Sequence, residues 1–120
     1  MNLNHLFSLK NSVLILAFWL LIFSAYAQGT RLLRQPDIST SHIVFTHGSD
    51  IWIASIDGSN VKRITSTAAV ESHPYFSPDG NWIAFTSNRS GRNQVYVVSM
   101  EGGTPKQLTW HPSGAEVRGW

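Results

Sequence analysis

The sequence predicts an all-β fold of β-propeller blades, each a four-stranded antiparallel meander, over residues 41–120. Two observations carry this prediction. The segment HIVFT at 42–46 returns as WIAFT at 82–86, and DIWIASIDGSNVKRIT at 50–65 returns as QVYVVSMEGGTPKQLT at 94–109. The chain therefore repeats every 40 to 44 residues. Each period also holds four β-type segments, which is typical of a propeller blade.

The four segments of the complete period differ in character. SHPYF at 72–76 is short, and NWIAFTS at 81–87 is apolar at most positions, as in a strand that is buried on both faces. QVYVVSM at 94–100 is rich in the β-branched and aromatic residues that favour strands. PKQLT at 105–109 is short and polar, and Pro105 removes a hydrogen-bond donor, so this segment suits a sheet edge.

Tight turns connect these segments. In Ser77-Pro78-Asp79-Gly80, Pro78 fixes φ near the value that the second turn position needs, Asp79 suits the third, and Gly80 tolerates a positive φ at the exit. We therefore assign Pro78, Asp79 and Gly80 a structural role. Asp57-Gly58 and Glu101-Gly102-Gly103 mark the turn between the third and fourth strands of successive periods.

The first 27 residues have the layout of a secretory signal peptide. A polar stretch with Lys10 precedes the apolar run VLILAFWLLIF at 13–23, and Ala25 and Ala27 form a small-x-small cleavage site. The run is shorter than the roughly 20 residues of a spanning helix, so we expect cleavage after Ala27 and no stable membrane anchor afterwards. Residues 28–40 are interpreted as an N-terminal leader, and the mature protein is expected to be periplasmic or secreted.

Composition narrows the function further. The chain has no cysteine, a net charge of +2 and 13% charged residues without a basic block, so neither thiolate chemistry nor nucleic-acid binding is expected. His42, His47, His73 and His111 show no metal-ligand spacing, and no phosphate-binding loop occurs. We predict neither a metal nor a cofactor. His73 and His111 each precede a proline, which favours an extended backbone at both positions.

Few residues are candidates for chemistry. No G-x-S-x-G motif occurs, and the numerous serines have no evident partner set, so no catalytic residue is predicted. Arg89 and Arg92 lie in the polar loop SNRSGRN at 87–93. A basic loop at a propeller face can bind the carboxylates of a peptide or protein, so both are candidate substrate-binding residues. The alternative is a solvated hairpin loop.

The segment PYFSPDGNWIAFTSNRSG at 74–91, with QVYVVSMEGGTPKQLT, resembles the WD-like propeller repeat of TolB, tricorn protease and related exported peptidases. The entry LLRQPDIS at 32–39, followed by HIVFTHGSDIWIASIDG, is similar to the start of the tricorn protease family. The resemblance implies a large serine peptidase whose N-terminal propeller guides or binds peptides. The catalytic domain of that family lies downstream, so no catalytic residue is carried over.

The sequence leaves three functions open. The first is the non-catalytic propeller segment of an exported tricorn-like serine peptidase, whose full-length parent could be homo-oligomeric. The second is a TolB-like periplasmic propeller that binds proteins without enzyme activity. The third is the propeller of another exported hydrolase, of the prolyl-oligopeptidase type or an amidohydrolase fusion. Because a closed propeller needs about 4–8 blades, we expect the chain, with its one and a half to two blades, to be a truncated piece of a longer protein.

Overall fold

The computed structural model describes residues 33–120 as two four-stranded antiparallel sheets. The first sheet has the order β1-β2-β3-β4 and the second has the order β5-β6-β7-β8, so both are meanders. The strands are β1 (Arg34–Ile38), β2 (His42–His47), β3 (Asp50–Ser55), β4 (Lys62–Arg63), β5 (Glu71–Phe76), β6 (Trp82–Ser87), β7 (Gln94–Ser99) and β8 (Lys106–Gln107). The predicted all-β fold of four-stranded blades is confirmed. The signal peptide, including Ala25 and Ala27, lies outside the described residues.

The first sheet has four strands, whereas the sequence predicts only part of a blade there. Its additional strand is β1, which lies inside the segment interpreted as leader and pairs with β2 through Asp37–Val44 and Ile38–Ile43. The strand RQPDI is polar and mostly exposed, so it gives no hydrophobic alternation that a sequence pattern could detect. The propeller therefore begins before residue 41.

The first strand of each sheet, β1 and β5, contains a bulge at a residue that precedes a proline. Gln35 and His73 each have a φ of 51°, and the register of β1 and of β5 shifts beside them. The expected extended backbone at His73 is therefore wrong. A bulge at this point is favourable because the proline that follows has no N–H, so the interrupted ladder loses no donor there.

The hydrophobic core lies between the two sheets. Residues from β2, β3, β5, β6 and β7, with Ile64 directly after β4, form one buried cluster: Val44, Ile51, Ile53, Ile64, Phe76, Ile83, Phe85, Tyr96 and Val98. Strand β6 is buried on both faces from Ile83 to Ser87, as predicted for NWIAFTS, whereas Asn81 and Trp82 at its start are exposed. No helix of the described part of the chain is long and apolar enough to cross a membrane.

Strand β5 packs against β1, β2 and β3, and side chains of β1 hold it in register. Asp37 Oδ2 accepts a hydrogen bond from the Phe76 amide at 2.8 Å, and Gln35 Oε1 accepts one from the His73 amide at 2.9 Å. These bonds satisfy two backbone donors of β5, an edge strand, that β6 does not pair. The two sheets are thus joined by apolar packing and by specific polar contacts.

Residues 115–117 make the same kind of backbone contact with the second sheet that the start of β5 makes with the first. The Ala115 amide donates to Asn93 O at 2.8 Å, as the Glu71 amide donates to Ser49 O at 3.0 Å. The Val117 amide donates to Thr86 Oγ1 at 2.9 Å, and Val117 is buried. The repeat therefore extends past β8, and the last described segment runs along the open side of the second sheet.

Candidate functional site

The candidate binding residues lie at one end of the second sheet, which we call the loop face: the β6–β7 loop at 88–93 and the segment at 108–118 after β8. In an antiparallel meander these two connections leave the sheet at the same end. They are also bonded to each other through Ala115 N and Asn93 O. The loop face contains Arg89 and Arg92, the two residues that the sequence analysis selects.

The Arg89 side chain turns from the loop towards the sheet. Its guanidinium forms an ion pair with Glu71, and its Nε donates to Ser87 Oγ at 3.0 Å. It also lies over two aromatic rings, 4.9 Å from the centre of Tyr96 and 5.5 Å from that of Phe85. Arg89 thereby connects the loop to β5, β6 and β7 of its sheet.

Glu71 explains why Arg89 is held there. Its side chain is completely buried, and its Oε1 accepts hydrogen bonds from the hydroxyls of Thr67 at 3.2 Å and Ser87 at 3.1 Å. Its Oε2 has no partner among the described residues. A buried carboxylate without a cation is strongly destabilising, so Arg89 stabilises the fold at this position. Substrate binding by Arg89 stays a prediction, and it would require Arg89 to leave Glu71.

Arg92 differs from Arg89. It is exposed, and it makes no ion pair or side-chain hydrogen bond with residues 33–120. It lines two neighbouring clefts of the loop face. The neighbouring Asn93 carbonyl is fixed by Ala115, and the turn from Asn88 to Gly91 is closed by a 2.9 Å backbone bond. A free cation therefore stands on a loop that is fixed at both ends.

The first cleft has a volume of about 430 Å³ and lies between the β6–β7 loop and Trp110. Its walls include Gln94 and Gln107, whose amide groups are already engaged. Gln94 Nε2 donates to His111 O at 2.7 Å, and Gln107 Nε2 donates to Thr109 O at 2.7 Å. Trp110 is 72% exposed. The cleft thus combines rigid polar walls with an accessible aromatic ring.

The second cleft has a volume of about 580 Å³ and lies between the loop and residues 113–118. Glu116 accepts a hydrogen bond from Asn93 Nδ2 at 3.2 Å and forms an ion pair with Arg118 at 3.0 Å. A Cβ at Gly114 would lie 3.1 Å from Asn93 O, so only glycine allows this approach of the two segments without displacement. Arg92 and Gly91 border both clefts.

The Ser77-Pro78-Asp79-Gly80 turn lies at the opposite end of the sheet. Asp79 Oδ1 accepts hydrogen bonds from Ser77 Oγ at 2.5 Å and from the Asn81 amide at 3.0 Å, and these bonds lower the pKa of Asp79. Gly80 has a φ of 74°, a left-handed conformation that favours glycine. A third cleft of about 550 Å³ includes this turn, Asp37 and Trp120.

The described residues bring no catalytic set together. Ser41 Oγ contacts His42 Nδ1 at 2.7 Å, and Ser72 Oγ contacts His73 Nδ1 at 3.1 Å. Each contact joins neighbours along the chain, and no hydrogen bond within residues 33–120 joins either histidine to a carboxylate. The same residues contain no group of three or more side chains that could hold a metal ion.

The sequence does not reveal two residues on which the site depends: Trp110 of the loop face, and Glu71 of β5, which binds Arg89. Both are single residues without a motif, and Glu71 lies 18 positions before the arginine that it binds. The fold alone brings these groups together. One signal was available: Glu71 directly precedes the predicted strand SHPYF, and a carboxylate that enters a partly buried strand needs a partner.

Comparisons with known proteins identify one family over most of the chain and a second group of similar proteins over a shorter part. The family described as the tricorn protease N-terminal beta propeller domain matches residues 30–120. Tricorn protease homolog 1 of Streptomyces coelicolor is 39% identical over 89 residues, which cover 73% of this chain and 8% of that protein. The Tol-Pal system protein TolB of Bordetella pertussis is 46% identical over 56 residues, which cover 46% of this chain and 13% of TolB.

Solved structures agree with these sequence matches. The crystal structure of the tricorn protease superposes with a TM-score of 0.58 at 30% identity, covering 65% of this chain and 8% of that one. TolB from Acinetobacter baumannii superposes with a TM-score of 0.59 at 28% identity, covering 68% of this chain and 22% of that one. The chain thus spans less than a tenth of the tricorn homologue and about an eighth of the Bordetella TolB.

Proposed function

The chain belongs to the family of tricorn protease N-terminal beta propeller domains, and we propose that it is the propeller segment of an exported tricorn-like serine peptidase. In this proposal the segment is not catalytic itself and binds or guides peptide substrates. The match over residues 30–120 is the observation that carries the proposal. Peptidase activity belongs to the proposed longer parent, because this chain spans 8% of the tricorn homologue.

The loop face supports a binding role. It offers two adjoining clefts and an exposed cation without an intramolecular partner among residues 33–120. Such clefts, with a few polar groups on a rigid scaffold, are typical of ligand sites. The Ser–His contacts of the described residues lack the carboxylate of a triad. Both features fit a segment that binds peptides and leaves their cleavage to another domain.

Export is the second part of the proposal. The polar start, the apolar run at 13–23 and the Ala25-x-Ala27 motif support cleavage after Ala27 and a periplasmic or secreted location. We expect the N-terminal sequence of the protein recovered from the periplasm or medium of a bacterial host to begin at Gln28. Ala27→Arg should block processing, because the site requires a small residue. Recovery of wild-type protein only in the cytoplasm with Met1 intact would contradict export.

A TolB-like protein-binding propeller without enzyme activity is the second candidate. It is favoured by the 46% identity to the Bordetella TolB, which exceeds the 39% identity to the tricorn homologue over a shorter stretch. The two candidates differ in the expected ligand: a peptidase propeller meets short peptides, whereas a protein-binding propeller contacts a larger partner protein.

Peptide binding without cleavage is the test of the first candidate. The purified chain is mixed with fluorescein-labelled nine-residue peptides, binding is measured by fluorescence anisotropy, and the peptides are then analysed by mass spectrometry. We expect saturable binding and intact peptides. Hydrolysis by the chain would refute a non-catalytic role. Failure to bind any short peptide would refute the substrate-binding role and favour the second candidate.

A further inference from the structure

We propose that Arg92 and Trp110 form a recognition site for an extended peptide that places an acidic side chain beside an apolar one. The inference rests on the proposed function, because it names the class of peptide that the loop face accepts. It is carried by three observations on this face: the charge balance of its arginines, the exposure of Trp110, and the fixed geometry of the walls between them.

Arg92 differs from the other arginines of the loop face because no carboxylate among residues 33–120 neutralises its charge. The loop face contains three arginines, of which Arg89 is paired with Glu71 and Arg118 with Glu116. Arg92 has no carboxylate partner among residues 33–120, and it is the only charged residue that lines the first cleft. An arginine that no internal carboxylate neutralises is suited to a carboxylate supplied by a ligand, which it can bind through two parallel hydrogen bonds.

Trp110 supplies the apolar half of the site. Its side chain is 72% exposed and lines the first cleft together with Arg92. Tryptophan and arginine are among the residue types that contribute most often to binding energy at protein interfaces. A leucine or aromatic side chain of a ligand can pack on the indole while the neighbouring acidic side chain reaches Arg92.

The walls are fixed before any ligand binds. Gln94 Oε1 accepts hydrogen bonds from Thr109 Oγ1 at 2.7 Å and from the His111 amide at 3.1 Å. Gln107 Oε1 accepts one from the Tyr96 hydroxyl at 3.0 Å. These amides have partners already, so they give the cleft its shape without competing for the ligand. A preformed site of this kind loses little entropy on binding.

The first sheet has no equivalent site. Its β2–β3 connection is the short hairpin through Gly48 and Ser49, which contains no cation, and the position that corresponds to Trp110 is Ser66. Recognition is therefore a property of the second blade, created by its longer loop. Since the two clefts share Arg92 and Gly91, an extended chain can pass from one to the other.

The test compares two fluorescein-labelled nine-residue peptides with Gly-Ser flanks, one with Leu-Glu at its centre and one with Leu-Gln. We expect the wild-type 120-residue chain to bind the Glu peptide about fivefold more tightly, which corresponds to ~1 kcal/mol for a partly exposed charge pair. Arg92→Gln should remove this difference, and Arg92→Lys should retain part of it. Trp110→Ala should weaken the binding of both peptides by a similar factor.

Lys106→Gln is the matched control, because Lys106 is an exposed cation of the same sheet that lines neither cleft of the loop face. It should leave the preference for Glu unchanged, and circular dichroism melting should show that every variant folds as the wild type does. Equal affinity of the wild type for both peptides, or a preference that persists in Arg92→Gln, would overturn the inference while peptide binding itself stands. Absence of binding to either peptide would overturn the proposed function as well.

Discussion

In each sheet an arginine lies over the aromatic ring at the same position of the repeat, but the two arginines come from different parts of the blade. Trp52 of β3 and Tyr96 of β7 are equivalent in the repeat, and a guanidinium lies over each ring. In the first sheet the cation is Arg63 of β4, whereas in the second it is Arg89 of the β6–β7 loop. Each arginine also forms an ion pair with an acidic residue that is nearly or completely buried.

The first sheet keeps its ion pair between its last two strands. Arg63 contacts Asp50 Oδ2 at 2.5 Å, donates from Nε to Thr65 O at 2.9 Å and lies 5.9 Å from the centre of Trp52. The Thr65 hydroxyl in turn accepts a hydrogen bond from the Ile51 amide at 2.9 Å. The Arg63 side chain remains 44% exposed, so solvent screens the pair.

The second sheet uses neutral amides at the same positions. Gln94 stands where Asp50 stands, and Gln107 stands where Arg63 stands. The hydrogen bonds are nevertheless repeated: Gln107 Nε2 donates to Thr109 O, and the Val95 amide donates to Thr109 Oγ1 at 2.9 Å. The repeat therefore preserves the positions of donors and acceptors and leaves charge free to vary, since hydrogen-bond geometry closes the sheet in either form.

In the second sheet the ion pair is more deeply buried, and its two residues lie further apart in the sequence. It joins Glu71, the first residue of β5, to Arg89 in the loop, and the side chains are 0% and 21% exposed. Burial raises the penalty for leaving either charge unpaired. The comparison thus indicates that the second blade depends on its loop for stability, whereas the first does not.

Arg89→Ala should have the largest effect. It leaves the buried Glu71 carboxylate without its cation, and we expect the free energy of unfolding to fall by about 3–5 kcal/mol. Urea denaturation followed by circular dichroism measures this change. Arg92→Ala, in the same loop but exposed, is the control and should change stability by less than about 0.5 kcal/mol. Equal effects of the two substitutions would contradict the structural role of Arg89.

Replacement of the ion pair of the first sheet by the two glutamines of the second should have a smaller effect on the free energy of unfolding. The double substitution Asp50→Gln and Arg63→Gln reproduces the amides of Gln94 and Gln107, and we expect it to change the free energy of unfolding by less than about 1 kcal/mol, because an exposed arginine contributes little to an ion pair. Arg63→Gln alone should be more destabilising, since Asp50 stays charged. A double variant less stable than the single variant would show that charge itself is required.

The smallest effect should come from the turns. Hydrogen bonds from Ser77 and Asn81 lower the pKa of Asp79, and those from Ser59 lower the pKa of Asp57, each below its ordinary value of 3.8. A folded-state pKa below the unfolded value stabilises the protein above about pH 4. This contribution is lost as the pH falls through the lower folded pKa.

We therefore expect Asp79→Asn to flatten the decrease of the thermal midpoint between about pH 4 and pH 2. The first turn of the first sheet, at 39–41, contains no carboxylate. In its place the Ser39 hydroxyl accepts a hydrogen bond from the His42 amide at 3.0 Å. Ser39→Ala is thus the matched control, which should lower the midpoint without changing its pH dependence. An unchanged acid limb in Asp79→Asn would refute the role of the turn carboxylate.

Much of the fold could be predicted because it is encoded locally. The segments NWIAFTS, QVYVVSM and PKQLT correspond to β6, β7 and β8, and their burial follows their composition. Strand β1 could not be predicted in this way, because its residues are polar and exposed. The only indication is that Gln35-Pro36 repeats His73-Pro74, a similarity that becomes meaningful once both are seen to form the same bulge.

The candidate site was predicted only in part. The sequence selects the loop at 88–93 but cannot distinguish Arg89 from Arg92, because both are arginines in a polar, glycine-containing stretch. The structure distinguishes them: Arg89 pairs with Glu71, and Arg92 faces the two clefts. Their roles in substrate binding stay predictions, as does cleavage after Ala27.

By itself, the sequence determined the all-β class, the period of the repeat and most of the strands, because alternation, β-propensity and turn residues act over a few neighbouring positions. The tertiary structure decided which charges are neutralised and which stay available. Glu71 and Arg89, or Arg92 and Trp110, are 18 residues apart in each case. Only the meander, which returns distant segments to the same end of a sheet, brings each pair to one site.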